Sequence, residues 1–570
     1  MLRTVSFPPA GICAQAGFAG VESTTRCDAV RQKRHHQSPE HERTSMSKPT
    51  YSFTTPIYYV NAAPHLGTAY TTIAADTVAR YQRMNGCDVA FVTGLDEHGQ
   101  KVAETGEKNG MTPQEWCDSM VPAFKDAWDM LDITYTDFVR TTEERQTRTV
   151  QKFWTDLYEK GYLYKSAYEG WYCVHEETYY AENDLEKNEE GEFVCPDCHR
   201  PVRRASGEEN WFFKLSEFQE PLLKFYEEHP EFIRPETRKN EIVTFVKGGL
   251  QDLSISRSTF DWGIPLPFDE GHVCYVWADA LLAYLTGIGY ADPEREGEFE
   301  RRWPMQYHFV GKDITRFHCV IWPAMLMAAG LPITGTVFGH GFLLVGGEKM
   351  SKSKGNGIKP ADLVEVFGVD AYRYYFMSDV RFGADGNISI ERMTQVYNAD
   401  LANTWGNLCS RVFNMVGKYF DGKVPAVPAE FADAPNPLKD IADVLYEKYD
   451  ACMADVNFTD AAAAVQELAS RVNLYVEESA PWNLAKSEET RGELAFVLYN
   501  AAEACRILAL FFAPFMPNTS AEVFRRLSLG AIEEIDDIKA ASVWGQLPAG
   551  NDVEKGDPLF PRLDVKDIQL

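Results

Sequence analysis

The feature that most constrains the fold is a strand–helix–strand pattern near the start of the ordered part of the chain. Phe53–Val60 is an apolar run typical of a buried strand, Thr68–Arg83 repeats apolar residues at helical spacing, and Val89–Gly94 is a second short apolar strand. Two buried strands joined by a helix form a right-handed parallel crossover. The pattern therefore predicts an α/β fold with a doubly wound parallel sheet of the Rossmann type.

Ligands of such sheets bind where the strands end, which in this sequence is at Tyr59–His65 and Asp96–His98. The first of these segments runs into His65-Leu66-Gly67-Thr68 at a predicted helix start. A glycine lets a phosphate approach the backbone, a helix N-terminus attracts anions, and an imidazole can donate to a phosphate oxygen. Taken alone, the tetrapeptide is more typical of a surface turn.

A second constellation is the lysine-rich segment "KMSKSKGN", which begins at Lys349. Three lysines lie between flanking glycines, so we expect a mobile cationic loop that can close over a polyphosphate. A solvated charged loop is the alternative for a lysine run of arbitrary spacing.

Bulk composition limits the class of protein. A chain of 570 residues needs several domains, and a formal net charge of −28 excludes a generic nucleic-acid coat protein unless a local basic patch overcomes the repulsion. No apolar run long enough to span a membrane is expected. The twelve cysteines are scattered, which indicates reduced thiols and a cytoplasmic location, with an organelle as the alternative.

Composition shifts along the chain predict its domain organisation. Residues 1–47 are rich in Arg, His, Ser and Gln without periodicity; we expect a disordered or misassigned extension, with a processed targeting segment as the alternative. The remaining expected boundaries are 48–162 and 251–345 for the two halves of the Rossmann domain, 163–250 for an inserted module, 346–395 for the lysine loop and a stem-contact region, 396–550 for a helical domain and 551–570 for a tail.

The two constellations in one α/β chain resemble the paired signature of class I aminoacyl-tRNA synthetases. The surrounding text, "TTPIYYVNAAPHLGTAYTTIAADTVARYQRMNG" and "GLDEHGQK", resembles the methionyl-tRNA synthetase family in particular. The likeness runs from about Tyr51 to Leu529. It implies a connective module inserted in the Rossmann domain and a helical anticodon-binding bundle behind it.

The resemblance also implies the site residues. The methionine site would contain an ammonium-binding Asp96, an Arg257 near the carboxylate and phosphate, and a pocket of Ile57, Tyr59, Trp277, Phe317 and His318. Aromatic walls suit a thioether, since sulfur makes favourable contacts with ring edges. The ATP site would be formed by His65, Gly67, Thr68, Asp313, His340 and Lys352.

The mechanism that follows has two steps. ATP, with Mg²⁺ on its phosphates, activates L-methionine to methionyl-adenylate, and the terminal ribose of tRNA(Met) then takes the methionyl group. His65 would stabilise the pentavalent α-phosphate and Lys352, with Lys349, the departing pyrophosphate. Relatives have a second histidine where this chain has Thr68, so His65 and the lysine loop would carry more of the stabilisation.

Three further expectations come from the resemblance. Asn407 and Arg411, one helical turn apart, and Trp482 match the family's anticodon readers. Cys173, Cys195 and Cys198 suit a structural zinc site whose fourth ligand would be Glu176, His175 or His199, with a remnant of a lost site as the alternative. The chain lacks the appended C-terminal domain through which relatives dimerise, so a monomer serving initiator and elongator tRNA is expected.

Other readings stay open at this point. Synthetases for Leu, Ile or Val carry a large editing insertion for which the spacing between the signatures leaves no room, and a cysteine enzyme fits "YVWADA" poorly. A non-catalytic tRNA-binding paralogue is the reading of another class, favoured if Thr68 abolishes the chemistry. A smaller-substrate adenylyltransferase would lack the helical anticodon module.

Overall fold

A computed structural model describes residues 48–568 apart from 174–177, 181, 183–184, 189, 197 and 350–357. The predicted N-terminal extension, residues 1–47, lies outside the described residues. The first part of the described chain contains β1 (Thr50–Tyr59), α1 (Leu66–Met84), β2 (Asp88–Asp96), α2 (Gln100–Lys108), α3 (Pro113–Met130), β3 (Asp137–Arg140) and α4 (Glu144–Glu159).

The next segment is dominated by a long antiparallel pair, β4 with β8. Its elements are β4 (Leu163–Cys173), β5 (Thr178–Tyr180), β6 (Glu186–Lys187), β7 (Phe193–Val194), β8 (Arg203–Phe213), a 3₁₀ turn at Leu215–Phe218, α5 (Gln219–Glu228), β9 (Ile233–Arg234) and α6 (Glu236–Lys247).

The α/β pattern then resumes. Its elements are β10 (Leu253–Ser254), β11 (Ser256–Arg257), β12 (Pro265–Leu266), β13 (Asp269–Cys274), α7 (Val276–Ala280), α8 (Ala283–Thr286), a 3₁₀ turn at Pro293–Arg295, α9 (Glu298–Arg302), β14 (Tyr307–Gly311), a 3₁₀ turn at Lys312–Ile314, a π-helical turn at Phe317–Ile321, α10 (Trp322–Ala329) and β15 (Thr336–His340).

These segments build one six-stranded sheet in the order β3-β2-β1-β14-β15-β9. Every pairing in it is parallel, and the strand order reverses between β1 and β14. Such a reversal opens a crevice at the carboxyl ends of the strands, where ligands of doubly wound sheets bind. The predicted Rossmann-type sheet is therefore confirmed, and β9 shows that the segment between the halves also supplies an edge strand.

The C-terminal half is helical after a small three-stranded sheet. Its elements are β16 (Leu343–Val345), β17 (Glu348–Lys349), α11 (Pro360–Phe367), α12 (Val369–Ser378), β18 (Gly386–Ile388), α13 (Ile390–Val396), a π-helical stretch at Tyr397–Gly406, α14 (Asn407–Tyr419), a 3₁₀ turn at Ala429–Phe431, α15 (Pro437–Ala454), α16 (Phe458–Ser479), α17 (Pro481–Leu484), a 3₁₀ turn at Glu488–Thr490, α18 (Arg491–Phe512), α19 (Pro517–Arg526), a 3₁₀ turn at Ile532–Glu534, α20 (Ile538–Ala541) and a 3₁₀ turn at Val565–Asp567.

The helix α18 is the core of the bundle. Against the expectation of no apolar run of membrane length, Glu488–Phe512 has that length, with a mean hydropathy of 1.6. Of its most apolar stretch, 94% is buried inside the protein, because α14, α15, α16 and α19 pack around it. A buried position accounts for this hydropathy without a membrane.

A buried arginine on α12 joins the sheet region to the bundle. The Arg373 guanidinium donates to Asp76 Oδ2 on α1 (2.6 Å) and to the carbonyl oxygens of Leu131 (2.9 Å), Pro514 (3.1 Å) and Phe515 (3.2 Å). Burial alone raises the pKa of Asp76, but the charges of Arg373 and Arg80 outweigh it and bring the pKa to about 2.

Candidate active site

The His65 side chain is the N-cap of α1. Its Nδ1 accepts hydrogen bonds from the backbone N–H groups of Gly67 (3.1 Å) and Thr68 (3.3 Å). Serine, threonine, aspartate or asparagine usually fills this role. Because Nδ1 is the acceptor, the ring proton is on Nε2, and the exposed imidazole presents a donor at the positive end of the helix.

Gly67 and Thr68 hold that ring in place. A Cβ at position 67 would lie 3.0 Å from His65 Cε1 and 3.1 Å from Nδ1, so a side chain there would push the imidazole aside. The Thr68 hydroxyl accepts from the His65 N–H (2.9 Å) and donates to the His65 carbonyl (2.7 Å). In this structure the threonine hydroxyl thus braces His65, completing a capping box.

His340 supports the same helix from the end of β15. Its Nδ1 donates to the Gly341 carbonyl (2.8 Å), so Nε2 accepts from the Thr71 hydroxyl (2.6 Å). Burial lowers the pKa of His340, which keeps the ring neutral. The ring therefore joins α1 to β15, which ends at His340, a residue predicted to contribute to ATP binding.

Strand register places two predicted methionine-site residues side by side. Tyr59 is paired with Asp96 at the carboxyl ends of β1 and β2, and Ile57 with Gly94. Pro56 lies where the register shifts between Thr54 and Ile57, because a proline cannot donate to the ladder. The Asp96 carboxylate is buried (6% exposed) at the edge of the crevice.

Trp277 and Phe317 form a stacked aromatic pair. Their ring centroids are 3.8 Å apart and the planes are within 10° of each other. Trp277 lies in α7, and Phe317 begins the π-helical turn Phe317–Ile321. The segment from Lys312 to Ala329 is not one regular helix but a 3₁₀ turn, a π-helical turn and α10, and π-helical turns are frequent at functional sites.

The His318 ring lies edge-on to Trp277, with centroids 6.3 Å apart, and is fully buried. Its Nδ1 donates to the Ile314 carbonyl (3.0 Å), so Nε2 accepts from the Tyr284 hydroxyl (2.7 Å). Burial lowers the pKa of His318 to about 4, so the ring is neutral at pH 7. Sequence reasoning missed Tyr284, whose only signal is its position seven residues after Trp277.

Arg257, the predicted carboxylate-binding residue of the methionine site, lies in β11. The guanidinium is 2% exposed; Nη1 donates to Ser254 Oγ (3.0 Å) and the Ser256 carbonyl (2.7 Å). Its Cζ lies 4.3 Å from the centroid of the Tyr275 ring, two residues before Trp277. The arginine is thus held by backbone, hydroxyl and aromatic contacts.

The predicted nucleotide-side residue Asp313 is exposed on the 3₁₀ turn after β14. Gly311 makes room for it, since a Cβ there would lie 2.4 Å from Asp313 Oδ1. The neighbouring Lys312 pairs with Asp385 (2.7 Å), whose carboxylate also accepts from the Phe342 N–H (2.8 Å). This contact ties the β14 end to the segment that leads into the lysine loop.

The lysine loop follows a β-hairpin that has a two-residue turn. β16 and β17 are joined by Gly346 and Gly347, whose φ angles of 62° and 82° suit glycine. β16 also pairs with β18, and the Gly347 N–H donates to Asn387 Oδ1 (2.8 Å). Lys349 therefore begins the loop from a fixed strand, while Lys352 lies outside the described residues.

Three cysteine thiols meet in the inserted segment. The sulfur atoms of Cys173, Cys195 and Cys198 all lie within 4.8 Å of one another, and Cys173 and Cys198 are 3.6 Å apart. Tetrahedral zinc with Zn–S bonds of about 2.3 Å needs sulfurs about 3.8 Å apart, so the cluster fits three of four ligands. Among the described residues His199 does not join this cluster, and its Nδ1 contacts Glu186 (3.0 Å); His175 and Glu176 are outside the described residues.

The predicted anticodon residues lie at one end of the bundle. Asn407 is exposed at the start of α14, directly after the π-helical stretch. Arg411, one turn later, donates to Glu477 Oε1 (2.6 Å) near the end of α16. Trp482 follows in α17 with 39% of its surface exposed.

Comparison with known proteins follows the same division of the chain. The family model described as tRNA synthetases class I (M) matches residues 51–413, and that for the anticodon binding domain of methionyl tRNA ligase matches 424–569. The chain is 48% identical over 519 residues to the methionine–tRNA ligase of Caldanaerobacter subterraneus subsp. tengcongensis (91% of this chain, 80% of the relative). It is 50% identical over 528 residues to that of Streptomyces coelicolor (90% and 97%).

Solved structures agree. Mycobacterium tuberculosis methionyl-tRNA synthetase in complex with methionyl-adenylate superposes with a TM-score of 0.86 at 39% identity, covering 90% of this chain and all of that one. The free-state structure of the same enzyme superposes with a TM-score of 0.81 at 36% identity, covering 91% and 99%.

Proposed function

The chain belongs to the methionine–tRNA ligase family of class I aminoacyl-tRNA synthetases, and we propose from this premise which of its residues perform each step. The family reaction has two steps: methionine is activated by ATP to methionyl-adenylate with release of pyrophosphate, and the methionyl group is then transferred to the 3′-terminal ribose of tRNA. No side chain has to act as a covalent nucleophile, so catalysis is positioning and charge stabilisation.

His65 is the donor to the α-phosphate. The observation that carries this assignment is the cap itself: Nδ1 is occupied by two backbone N–H groups, which fixes the ring at the helix N-terminus and leaves its proton on Nε2. A preorganised donor costs no reorganisation as negative charge grows on the phosphate. Thr68 acts through His65, because its hydroxyl contacts the His65 backbone.

The lysine loop completes the ATP site. Lys352, with Lys349, neutralises the departing pyrophosphate, and Mg²⁺ bound with the ATP would supply further positive charge to the phosphates. The hairpin that ends at Lys349 is anchored on β18. Gly67, Asp313 and His340 line the nucleotide side of the same crevice.

Methionine binds across the ends of β1 and β2. Asp96 pairs with the ammonium group and Arg257 with the carboxylate, and Ile57, Tyr59, Trp277, Phe317 and His318 enclose the side chain. Neutral His318 and the stacked rings give the thioether an apolar, polarizable wall.

The helical bundle recognises the tRNA anticodon. Asn407, Arg411 and Trp482 offer an amide, a guanidinium and an exposed indole at one end of the bundle, which suits bases unstacked from a loop.

Both initiator and elongator tRNA(Met) are substrates, and the protein acts as a cytoplasmic monomer. Cys173, Cys195 and Cys198 would hold one structural zinc ion, with Glu176 as the fourth ligand.

The function is tested by ATP–pyrophosphate exchange with each of the twenty amino acids, followed by charging of purified tRNAs. Methionine alone should support rapid exchange, and tRNA(Met) should be charged. Exchange with another amino acid would identify a different synthetase, and no exchange with any would indicate a non-catalytic paralogue.

The lysine assignment has a matched control in the same loop. Lys352→Ala should slow methionine-dependent exchange by roughly 10²-fold or more, the scale for losing one preorganised charge. Lys354→Ala removes the same charge two residues later and should change the rate far less. Equal effects of the two variants would contradict a specific role for Lys352.

A further inference from the structure

A buried histidine–aspartate pair connects the two walls of the proposed methionine pocket. His98 Nδ1 lies 2.6 Å from Asp279 Oδ2, and the side chains are 8% and 1% exposed. Nothing in the proposed reaction uses either group. A buried carboxylate in this position is costly unless it is fully hydrogen-bonded, which raises the question of what the pair does.

Both partners are held from further sides. Asp279 Oδ1 accepts from Gln146 Nε2 (2.7 Å), and the Thr286 hydroxyl donates to Gln146 Oε1 (2.6 Å). The His98 ring lies edge-on to Trp262, with centroids 5.4 Å apart. The pair is therefore one link of a rigid, water-excluded network rather than an isolated contact.

The neighbours of the pair give it a functional consequence. Asp96 lies two residues before His98 at the end of β2, and Trp277 lies two residues before Asp279 in α7. The contact thus joins the segment that carries the proposed ammonium ligand to the helix that carries the proposed aromatic wall. A change in the His98–Asp279 distance would therefore move the segment with Asp96 relative to the helix with Trp277.

We propose that His98 and Asp279 are positioning residues that set the separation between Asp96 and Trp277, and hence the affinity and side-chain selectivity for methionine. The inference rests on the proposed methionine site. Among the described residues, the hydrogen bonds and ring contacts of the pair go to Gln146 and Trp262 and none goes to His65, Asp313 or His340, so ATP binding should not depend on it. His98 acts by donating from Nδ1, since a carboxylate only accepts.

The test exploits the two nitrogen positions of the ring. In His98→Asn the side-chain amide takes the place of Nδ1 and keeps the hydrogen bond, whereas in His98→Gln the amide takes the place of Nε2 and loses it. ATP–pyrophosphate exchange should show a methionine KM raised about tenfold or more in His98→Gln, the cost of removing a hydrogen bond to a buried charge. In His98→Asn the methionine KM should stay near wild type, and the ATP KM should be unchanged in both.

Selectivity gives a readout that a merely structural role would not move. The ratio of kcat/KM for methionine to that for ethionine, one methylene longer, should fall in His98→Gln because the wall is no longer fixed. Tyr81→Phe is the matched control: it removes a partly buried hydrogen bond to a carboxylate, Asp450 (2.5 Å), near the C-terminal end of α1. It should leave methionine KM and selectivity unchanged.

Three outcomes would overturn the inference: equal methionine KM in the Asn and Gln variants, a parallel rise of the ATP KM, or an equal effect of Tyr81→Phe. Failure of the proposed function is distinguishable from all of these, because wild-type protein would then show no methionine-dependent exchange.

Discussion

Replacing His65 separates helix capping from catalysis, because the two ring nitrogens have different tasks. His65→Ala removes the acceptor for the Gly67 and Thr68 N–H groups, which destabilises the start of α1 by about 1 kcal/mol. His65→Asn restores a cap of the preferred type, so it should destabilise the start of α1 by only a few tenths of about 1 kcal/mol. Both variants lose Nε2–H, and both should slow ATP–pyrophosphate exchange by about 10²–10³-fold, the cost of one preorganised donor.

Hydrogen–deuterium exchange on the wild type and the two His65 variants tests the cap, and a fourth protein, Gly67→Ala, tests the position of the ring. Hydrogen–deuterium exchange of a peptide covering the first turn of α1 should accelerate in His65→Ala and stay near wild type in His65→Asn. Gly67→Ala should also slow the reaction while keeping both nitrogens, because its Cβ displaces the ring. An active His65→Asn would refute the phosphate role, and an unchanged first turn in His65→Ala would refute the cap.

Three other predictions concern the metal, pH and tRNA. Protein never exposed to a chelator should contain one zinc per chain by plasma emission, and Cys195→Ser should lower it; no zinc in the wild type would rule out the metal site. Burial lowers the pKa of His318 from 6.5 to about 4. As the pH falls through this interval, the unfolded chain binds the extra proton and the free energy of unfolding therefore decreases. This decrease should be smaller in His318→Gln, and equal slopes of stability against pH in the two proteins would contradict a neutral buried ring. Arg411→Ala should raise the tRNA KM about tenfold or more without affecting methionine activation, whereas Glu477→Gln, which removes only the charge of its protein partner, should not.

The sequence predicted those parts of the fold that follow from local periodicity. Phe53–Val60, Thr68–Arg83 and Val89–Gly94 correspond to β1, α1 and β2 within a few residues, because burial of these runs imposes strand and helix periods. The π-helical turn at Phe317 was not predicted, since Phe317–Ala329 is apolar almost throughout and offers no polar–apolar alternation that an extra residue would shift. β9 was missed for a similar reason: two residues give no periodicity.

For the candidate site, motifs located the residues but not their contacts. His65 and Asp96 could be placed at strand ends because parallel sheets put them there. The partners of His98 and His318 could not, since Asp279 and Tyr284 are distant in sequence and contact them only after the sheet and helices pack. Tautomers and pKa values depend on those long-range contacts.

The buried contacts of Arg373 have a consequence for dissecting this protein into parts. The two family matches meet between residues 413 and 424, which invites expression of the first as a separate catalytic fragment. Such a fragment keeps Arg373 and Asp76 but removes the Pro514 and Phe515 carbonyls that accept from the guanidinium. The Arg373 guanidinium, which is fully buried in the whole chain, would then be exposed to water on one side. This guanidinium donates to Asp76 on α1, the helix whose first turn holds His65. The boundary visible in the sequence is therefore not a boundary at which the molecule can be cut without cost to its catalytic half.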